Sequence, residues 1–191
     1  MTNKQKESDY YLPVKEAFED YFRNNGFYVD FEVTGLNRKP LERFLPKISQ
    51  LLLKLKHVRA LPTPDIMGFI WTPQKKEKYL VIVEFKLNPN FQDVFQTKGY
   101  AELYGSDLTY LASRESISQS SESTITFISD NPKLLETQRG EPIYIKFLHK
   151  TPAGAIHVVM GGDQTRILPD DNEKLLRISL NLLEKKHGNT D

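Results

Sequence analysis

Two carboxylates and a lysine in this sequence are spaced so that they could hold a metal ion together. Asp65 follows Pro64, and Glu84 stands two residues before Lys86. Neighbouring carboxylates raise each other's pKa unless a cation lies between them. A hard divalent ion takes oxygen ligands, lowers the pKa of a bound water and neutralises charge on a phosphate. The residues therefore indicate metal-dependent cleavage of a phosphodiester, with Mg²⁺ or Mn²⁺ as the ion.

A predicted β-hairpin brings the two acids together. Residues 66–71 and 79–83 are apolar, and the polar segment 72–78 between them is too hydrophilic to bury. Two such runs separated by a polar segment with a proline are typical of antiparallel strands. Folding the pair about this segment places Asp65 level with Glu84, within one residue.

The side chains of Glu84 and Lys86 are expected to share one face of the second strand, since residues two apart point the same way. Lys86 is a candidate either to orient the attacking water or to stabilise the charged phosphorane. The backbone carbonyl of Phe85 is a further candidate metal ligand. The alternative is an ordinary strand end with solvated charges, because an acid-x-lysine triplet is a weak motif. The same triplet occurs at Glu184 and Lys186, without a preceding apolar strand.

A further acid lies on the N-terminal helix, which is predicted over residues 7–25 with a first turn that bends or restarts at Pro13. Its apolar stripe consists of Tyr11, Val14, Phe18, Tyr21 and Phe22. Glu7 falls on this inward stripe, where a carboxylate is costly unless it is paired or bound to a metal. Glu19 at the edge of the stripe is the alternative, and a helix N-terminal charge favoured by the dipole is another interpretation of Glu7.

The helix predicted over residues 91–104 follows the hairpin and carries further polar groups. Gln96 and Tyr100 lie four residues apart, so they share a helix face. Lys98 is a candidate phosphate contact. In the alternative interpretation, Tyr100 belongs to the core and Gln96 faces solvent.

Together these motifs resemble the PD-(D/E)xK nuclease superfamily. The matching residues are Pro64 and Asp65, followed by the run from Glu84 to Lys86, and the similarity covers most of residues 7–113. Gln96 and Tyr100 resemble the Q-x-x-x-Y element that follows this motif in RecB-type nucleases, and residues 7–15 resemble the first helix of other members.

The resemblance implies a restriction-endonuclease-like fold, with a central mixed β-sheet flanked by helices in an α/β domain. It also implies Mg²⁺ dependence and nucleic-acid cleavage. It assigns Glu7 as the third acidic residue of the site, and it places Gln96 and Tyr100 beside the site, in contact with the substrate or the active-site network. It identifies no substrate.

Residues 38–61 are predicted to form a basic helical insertion between strands. In a chain of net charge +1, the local excess of cations over the single acid Glu42 makes this segment a candidate for phosphate contact. A solvated helix face is the alternative. The candidate nucleic-acid-binding residues here are Arg38, Lys39, Arg43, Lys47, Lys54, Lys56 and Arg59.

The remaining sequence predicts a single domain over residues 1–191, with residues 114–191 as a C-terminal extension. A strand at 107–112 is expected to join the hairpin in parallel, followed by a flexible serine-rich segment at 114–123, a helix at 122–136, strands at 143–148 and 155–160, and a helix at 173–186. The last helix is more apolar than one buried stripe requires, which a homodimer or deeper burial would explain. The absence of cysteine fits a cytoplasmic protein, and no apolar run approaches membrane-spanning length.

The sequence therefore predicts a Mg²⁺-dependent nuclease, with DNA favoured over RNA as the partner. A non-catalytic nucleic-acid-binding or assembly subunit that retains the fold is the alternative from another class. A structural protein that associates through its leucine-rich C-terminus is a third. Endonuclease and exonuclease activity both stay open.

Overall fold

The computed structural model describes residues 6–36, 43–44, 62–74, 77–114, 118–159 and 169–180. Within this part of the chain lie six strands: β1 (Tyr28–Val33), β2 (Ile66–Trp71), β3 (Tyr79–Lys86), β4 (Leu108–Arg114), β5 (Ile143–Lys150) and β6 (Ile156–Val159). The α-helices are α1 (Tyr11–Asn24), α2 (Phe91–Tyr104), α3 (Gln119–Asp130) and α4 (Asn172–Leu180), and short 3₁₀ helices span Glu7–Tyr10 and Pro132–Leu135.

The strands form one mixed sheet whose spatial order is the same as their order along the chain. β2 runs antiparallel to its neighbours β1 and β3, the strands β3, β4 and β5 run parallel, and β6 returns antiparallel to β5. Parallel neighbours need a crossover connection, and α2 and α3 lie in the two crossovers. The predicted α/β class, the hairpin and the parallel strand after the helix are therefore confirmed.

Helices cover both faces of the sheet, and the alternation of side chains along β3 shows how. Val81 and Val83 belong to the core beneath α1, whereas Leu80 and Ile82 pack with Tyr100 of α2. Both sets are buried because helices cover both faces of this central strand. The sequence of β3 is therefore a nearly continuous apolar run. α4 joins the α1 side through Leu175 and Ile178, and α3 joins the α2 side through Ile125 and Ile128.

Gly68 of β2 leaves room for the ring of Phe31 on β1. A Cβ at this position would lie 1.6 Å from Cδ1 of Phe31, the residue opposite it on β1. Phe31 fills that space and also contacts Phe22 of α1, with ring centroids 5.7 Å apart. A glycine inside a buried strand is thus explained by the close approach of an aromatic ring.

A buried ion pair anchors the C-terminal helix to the rest of the fold. Asp171, directly before α4, is 0% exposed, and its Oδ1 lies 2.5 Å from Nζ of Lys146 on β5. Tyr21 of α1 donates a hydrogen bond of 2.9 Å to Asp171 Oδ1, and Tyr110 of β4 donates one of 2.6 Å to Asp171 Oδ2. The carboxylate therefore joins four elements of the fold at one point.

Several predicted boundaries and roles differ from the structure. The N-terminal segment begins as a 3₁₀ helix and becomes α-helical at Tyr11, so no new start occurs at Pro13. The prediction of a flexible segment at 114–123 was wrong for its second half, since Ser118 caps α3 by accepting from the Ser121 N–H. The sequence also suggested Asn131 as a helix cap; it occupies the N-cap position of the second 3₁₀ helix, but its side chain donates to the Phe127 carbonyl of α3 instead.

No helix in the described part of the chain is both long and apolar enough to cross a membrane. The part of the predicted C-terminal helix beyond residue 180 lies outside the described residues, as does nearly all of the basic segment at 38–61.

Candidate active site

The register of the hairpin brings the two predicted acids side by side. Ile66 lies opposite Val83, so Asp65, one residue before β2, lies next to Glu84. The backbone N–H of Asp65 donates to Oε2 of Glu84 at 3.3 Å, and the backbone N–H of Phe85 donates to Oδ2 of Asp65 at 2.9 Å. Each acid thus accepts a hydrogen bond from the backbone of the strand that carries the other.

Asp65 is held in place by the end of β1 as well as by β3. Its backbone carbonyl accepts from the N–H groups of Thr34 and Gly35, each at 2.9 Å, and its side chain is only 5% exposed. Burial raises the pKa of the Asp65 carboxyl, although hydrogen bonds from the Tyr11 hydroxyl and the Phe85 N–H oppose the shift. The carboxylate is therefore fixed in position while it is poorly solvated.

Glu84 is the most buried acid of the site, at 1% exposure. Its Oε1 lies 2.9 Å from Nζ of Lys86 and accepts from Nε2 of Gln96 at 3.0 Å. Burial, followed by the charge of Asp65, raises the pKa of Glu84 to about 7 even though Lys86 opposes the shift. The two neighbouring carboxylates thus disfavour each other's charge, and Lys86 balances only part of it.

Lys86 lies between Glu84 and Glu7. Its Nζ is 3.6 Å from Oε2 of Glu7, whose Oε1 accepts from the Leu87 N–H at 3.3 Å. Burial disfavours the ammonium charge, but the three acids outweigh it and raise the pKa of Lys86, which stays charged. Glu7, 37% exposed, therefore reaches the site. Glu19, the alternative third acid, pairs with Lys15 and Arg23 instead.

Gln96 and Tyr100 close the site from α2. Asn90 caps this helix by accepting from the Gln92 and Asp93 N–H groups at 2.8 and 3.3 Å. Besides its bond to Glu84, the Gln96 amide donates to the Tyr100 hydroxyl at 2.8 Å. Gln96 is therefore half-buried and hydrogen-bonded to the candidate acid Glu84, so it does not face solvent as the alternative expected. Tyr100 is buried in the core, which agrees with that alternative.

The oxygen donors fit a hard divalent ion, but the described residues do not form a complete ligand cage. In this part of the chain, no group of three or more His, Cys, Asp or Glu side chains is placed to hold a metal. Asp65 and Glu84 supply carboxylates. The N–H and C=O of one strand residue point to the same edge, so the Phe85 carbonyl also points toward Asp65. Glu7 is separated from the two buried acids by the Lys86 ammonium. A Mg²⁺ ion completing its shell with waters fits two or three protein ligands.

Of the candidate nucleic-acid-binding residues, Arg43 and Lys98 lie in the described part of the chain. The guanidinium of Arg43 pairs with Asp30 and Glu32 on β1, so much of its charge is balanced within the protein. Lys98 lies half-buried on α2. Outside the described residues are Arg38, Lys39, Lys47, Lys54, Lys56 and Arg59.

Two residues beside Asp65 were not predicted from the sequence. Tyr11 was assigned to the apolar stripe of α1, yet its hydroxyl hydrogen-bonds to the Asp65 carboxylate. Gly35, which follows β1, lies so near the acid that a Cβ there would be 2.9 Å from Asp65 Oδ1. The position of Tyr11 four residues after Glu7 was the available signal, because this spacing places both residues on one side of the N-terminal segment.

Comparison with known proteins assigns no family to this geometry. No protein-family model matches the chain, and no curated protein matches it.

The raised pKa of Glu84 predicts that the protein loses stability as the pH rises. Because the folded pKa of about 7 exceeds the ordinary 4.5, the folded state binds the proton more tightly. The resulting stability is fully present below the unfolded pKa and is lost as the pH rises through the folded pKa. The whole shift corresponds to about 3 kcal/mol.

We expect Glu84→Gln, measured by urea unfolding with a chelator present, to be more stable than wild type at pH 8 and to lack this advantage at pH 4. The glutamine carries no charge at either pH, so the pH dependence should flatten. A variant whose stability falls with pH as steeply as that of wild type would contradict the assignment.

Proposed function

We propose that this protein is a divalent-metal-dependent nuclease of restriction-endonuclease-like type that hydrolyses phosphodiester bonds in DNA. The observation that carries the proposal is the pairing of two almost fully buried carboxylates, Asp65 and Glu84, at the end of the β2–β3 hairpin with Lys86 beside them. A pair of buried acids is costly to a fold unless a cation is bound there. A site with strongly perturbed acids is a candidate for function.

Asp65 and Glu84 would hold the ion, Mg²⁺ or Mn²⁺, with the Phe85 carbonyl as a third ligand and Glu7 completing the acidic cluster from its outer side. When bound, the ion supplies a water of lowered pKa and neutralises charge on the phosphate. The protein's own contribution is to fix the ligands: the strand backbone holds Asp65, and Gln96 holds Glu84 Oε1.

Lys86 supplies the second cationic group of the proposed reaction. Its Nζ is 2.9 Å from Glu84 Oε1, and its pKa is raised, so the ammonium stays charged at neutral pH. A fixed positive charge at this place orients the attacking water or stabilises charge developing on the phosphate, and it costs no reorganisation during the reaction. Tyr100 holds the Gln96 amide from the opposite side.

One observation favours a second candidate, a non-catalytic nucleic-acid-binding or assembly subunit with the same fold. Lys86 lies within ion-pair distance of both Glu84 and Glu7, so the protein itself balances part of the site's charge without a metal. A copy of the fold that had lost catalysis would be stabilised by such pairs.

Incubation of the protein with plasmid DNA, single-stranded DNA and RNA, each with Mg²⁺, Mn²⁺ or EDTA, tests the proposal. We expect the DNA substrates to be cleaved with either ion, no cleavage in EDTA, and slower cleavage of RNA. Gel analysis of circular and end-labelled substrates separates internal from terminal cuts. Tight DNA binding without cleavage of any substrate would favour the non-catalytic subunit.

A further inference from the structure

Tyr11 contacts the proposed metal ligand from a different element than the hairpin that carries the site. It is the first residue of α1, its ring edge and Asp65 Oδ1 both lie against Gly35, and its hydroxyl hydrogen-bonds to the Asp65 carboxylate. We propose that Tyr11 is a positioning residue that orients the Asp65 carboxylate for metal binding, an inference that rests on the proposed function. Neither the motif nor the resemblance assigns it this role.

Gly35 leaves the space in which Tyr11 and the Asp65 carboxylate meet. A Cβ on Gly35 would lie 2.9 Å from Asp65 Oδ1 and 3.0 Å from Cε2 of Tyr11. A side chain at position 35 would therefore push against both partners at once, and glycine leaves room for the carboxylate and the ring edge together. The same glycine donates its N–H to the Asp65 carbonyl, so it is fixed relative to the acid.

Two donors with different origins restrict how the carboxylate rotates. The Phe85 N–H binds Oδ2 from β3 at 2.9 Å, and the Tyr11 hydroxyl binds the same carboxylate from α1. An ionised carboxylate has about four lone-pair positions, so two donors leave others for a cation. Hydrogen-bond partners of this kind orient metal ligands, and losing one typically costs 10–100-fold in metal affinity or activity.

The phenol can act only as a donor here. A tyrosine hydroxyl is protonated at neutral pH, and an ionised carboxylate only accepts hydrogen bonds. The N-terminal segment thus contributes two contacts to the site, because Glu7 reaches Lys86 from the preceding 3₁₀ helix.

The test measures Mn²⁺ binding by electron paramagnetic resonance, without substrate, for wild type, Tyr11→Phe, Asp65→Ala and Tyr28→Phe. Tyr28 is an exposed tyrosine of β1 whose ring packs on Trp71, far along the strand from Asp65, and its replacement removes the same hydroxyl elsewhere. We expect Tyr11→Phe to weaken Mn²⁺ binding about tenfold, and Tyr28→Phe to leave it unchanged. Circular dichroism checks that each variant is folded.

Cleavage kinetics add a second readout. A positioning role predicts that Tyr11→Phe raises the Mg²⁺ concentration needed for half-maximal rate, with much of the rate recovered at saturating Mg²⁺. A general loss of folded protein would lower the rate at every Mg²⁺ concentration instead.

The outcomes separate the inference from the function it rests on. If wild type binds Mn²⁺, Asp65→Ala abolishes binding and Tyr11→Phe binds as well as wild type, the role of Tyr11 is overturned while the metal site stands. If wild type binds no Mn²⁺, or Asp65→Ala binds it equally well, the proposed metal site fails and the inference with it.

Discussion

Replacing Asp65 with alanine is expected to reduce metal-dependent cleavage at least about 100-fold. Changes to residues that only support a metal ligand cost 10–100-fold, so removal of a direct ligand should cost no less. The measurement is the initial rate of DNA cleavage at saturating Mg²⁺, together with Mn²⁺ affinity. Loss of both quantities would identify Asp65 as a ligand, because a residue needed only for the chemical step would leave the affinity intact.

Glu19→Gln provides the matched control. Glu19 is also an acid of the N-terminal region, but it pairs with Lys15 and Arg23 along α1. We expect this variant to cleave as wild type does. Asp65→Asn preserves the shape of the side chain, so an equal loss in both Asp65 variants would exclude a packing defect. Full activity in Asp65→Ala would contradict the proposed site.

Lys146→Met is expected to lower the free energy of unfolding by about 3–5 kcal/mol. Removing one partner of a buried ion pair leaves the other charge uncompensated, and losses of this size are typical. Lys146 is 2% exposed and Asp171 is 0% exposed, so water cannot take over the role of the ammonium. Chemical denaturation at neutral pH gives the free energy, and methionine retains most of the side-chain volume.

A surface pair on the same C-terminal helix serves as the comparison. Arg177 pairs with Glu173 one turn away, and both side chains are more than half exposed. Exposed pairs of this spacing contribute about 0.3–0.5 kcal/mol, so Arg177→Met should be nearly neutral. If the Lys146 and Arg177 variants lost similar stability, the buried pair would not be the anchor of α4 that its geometry indicates.

The central part of the fold could be predicted from the sequence because its signals are local. The apolar runs at 66–71 and 79–83 match β2 and β3 closely, and α2 has the bounds that were predicted. The asparagine cap and the polar turn before α2 mark its start chemically. The segment at 114–123 was misjudged because serine favours both loops and helix N-caps, and composition alone does not distinguish them.

The contacts of the candidate site also fall into two groups, those that the local sequence predicted and those that it did not. The proximity of Asp65, Glu84 and Lys86 could be predicted because side chains alternate along a strand and a single polar loop joins the two strands. The contact of Tyr11 with Asp65 could not, because a tyrosine on an apolar stripe reads as core. The pairing of Lys146 with Asp171 joins residues on separate elements, and no periodic pattern links them. Contacts between distant segments are set by packing, which the local pattern does not encode.

The sheet order carries a consequence for how the polypeptide assembles during synthesis. Since each strand lies beside its predecessor, every new strand meets an edge that has already emerged. The carboxylates, the lysine and the glutamine of the hairpin and α2 are all present once residue 104 has left the ribosome. Asp171 emerges after these residues and accepts hydrogen bonds from Tyr21 of α1, Tyr110 of β4 and Lys146 of β5, so α4 docks on a sheet whose candidate site has already been synthesised.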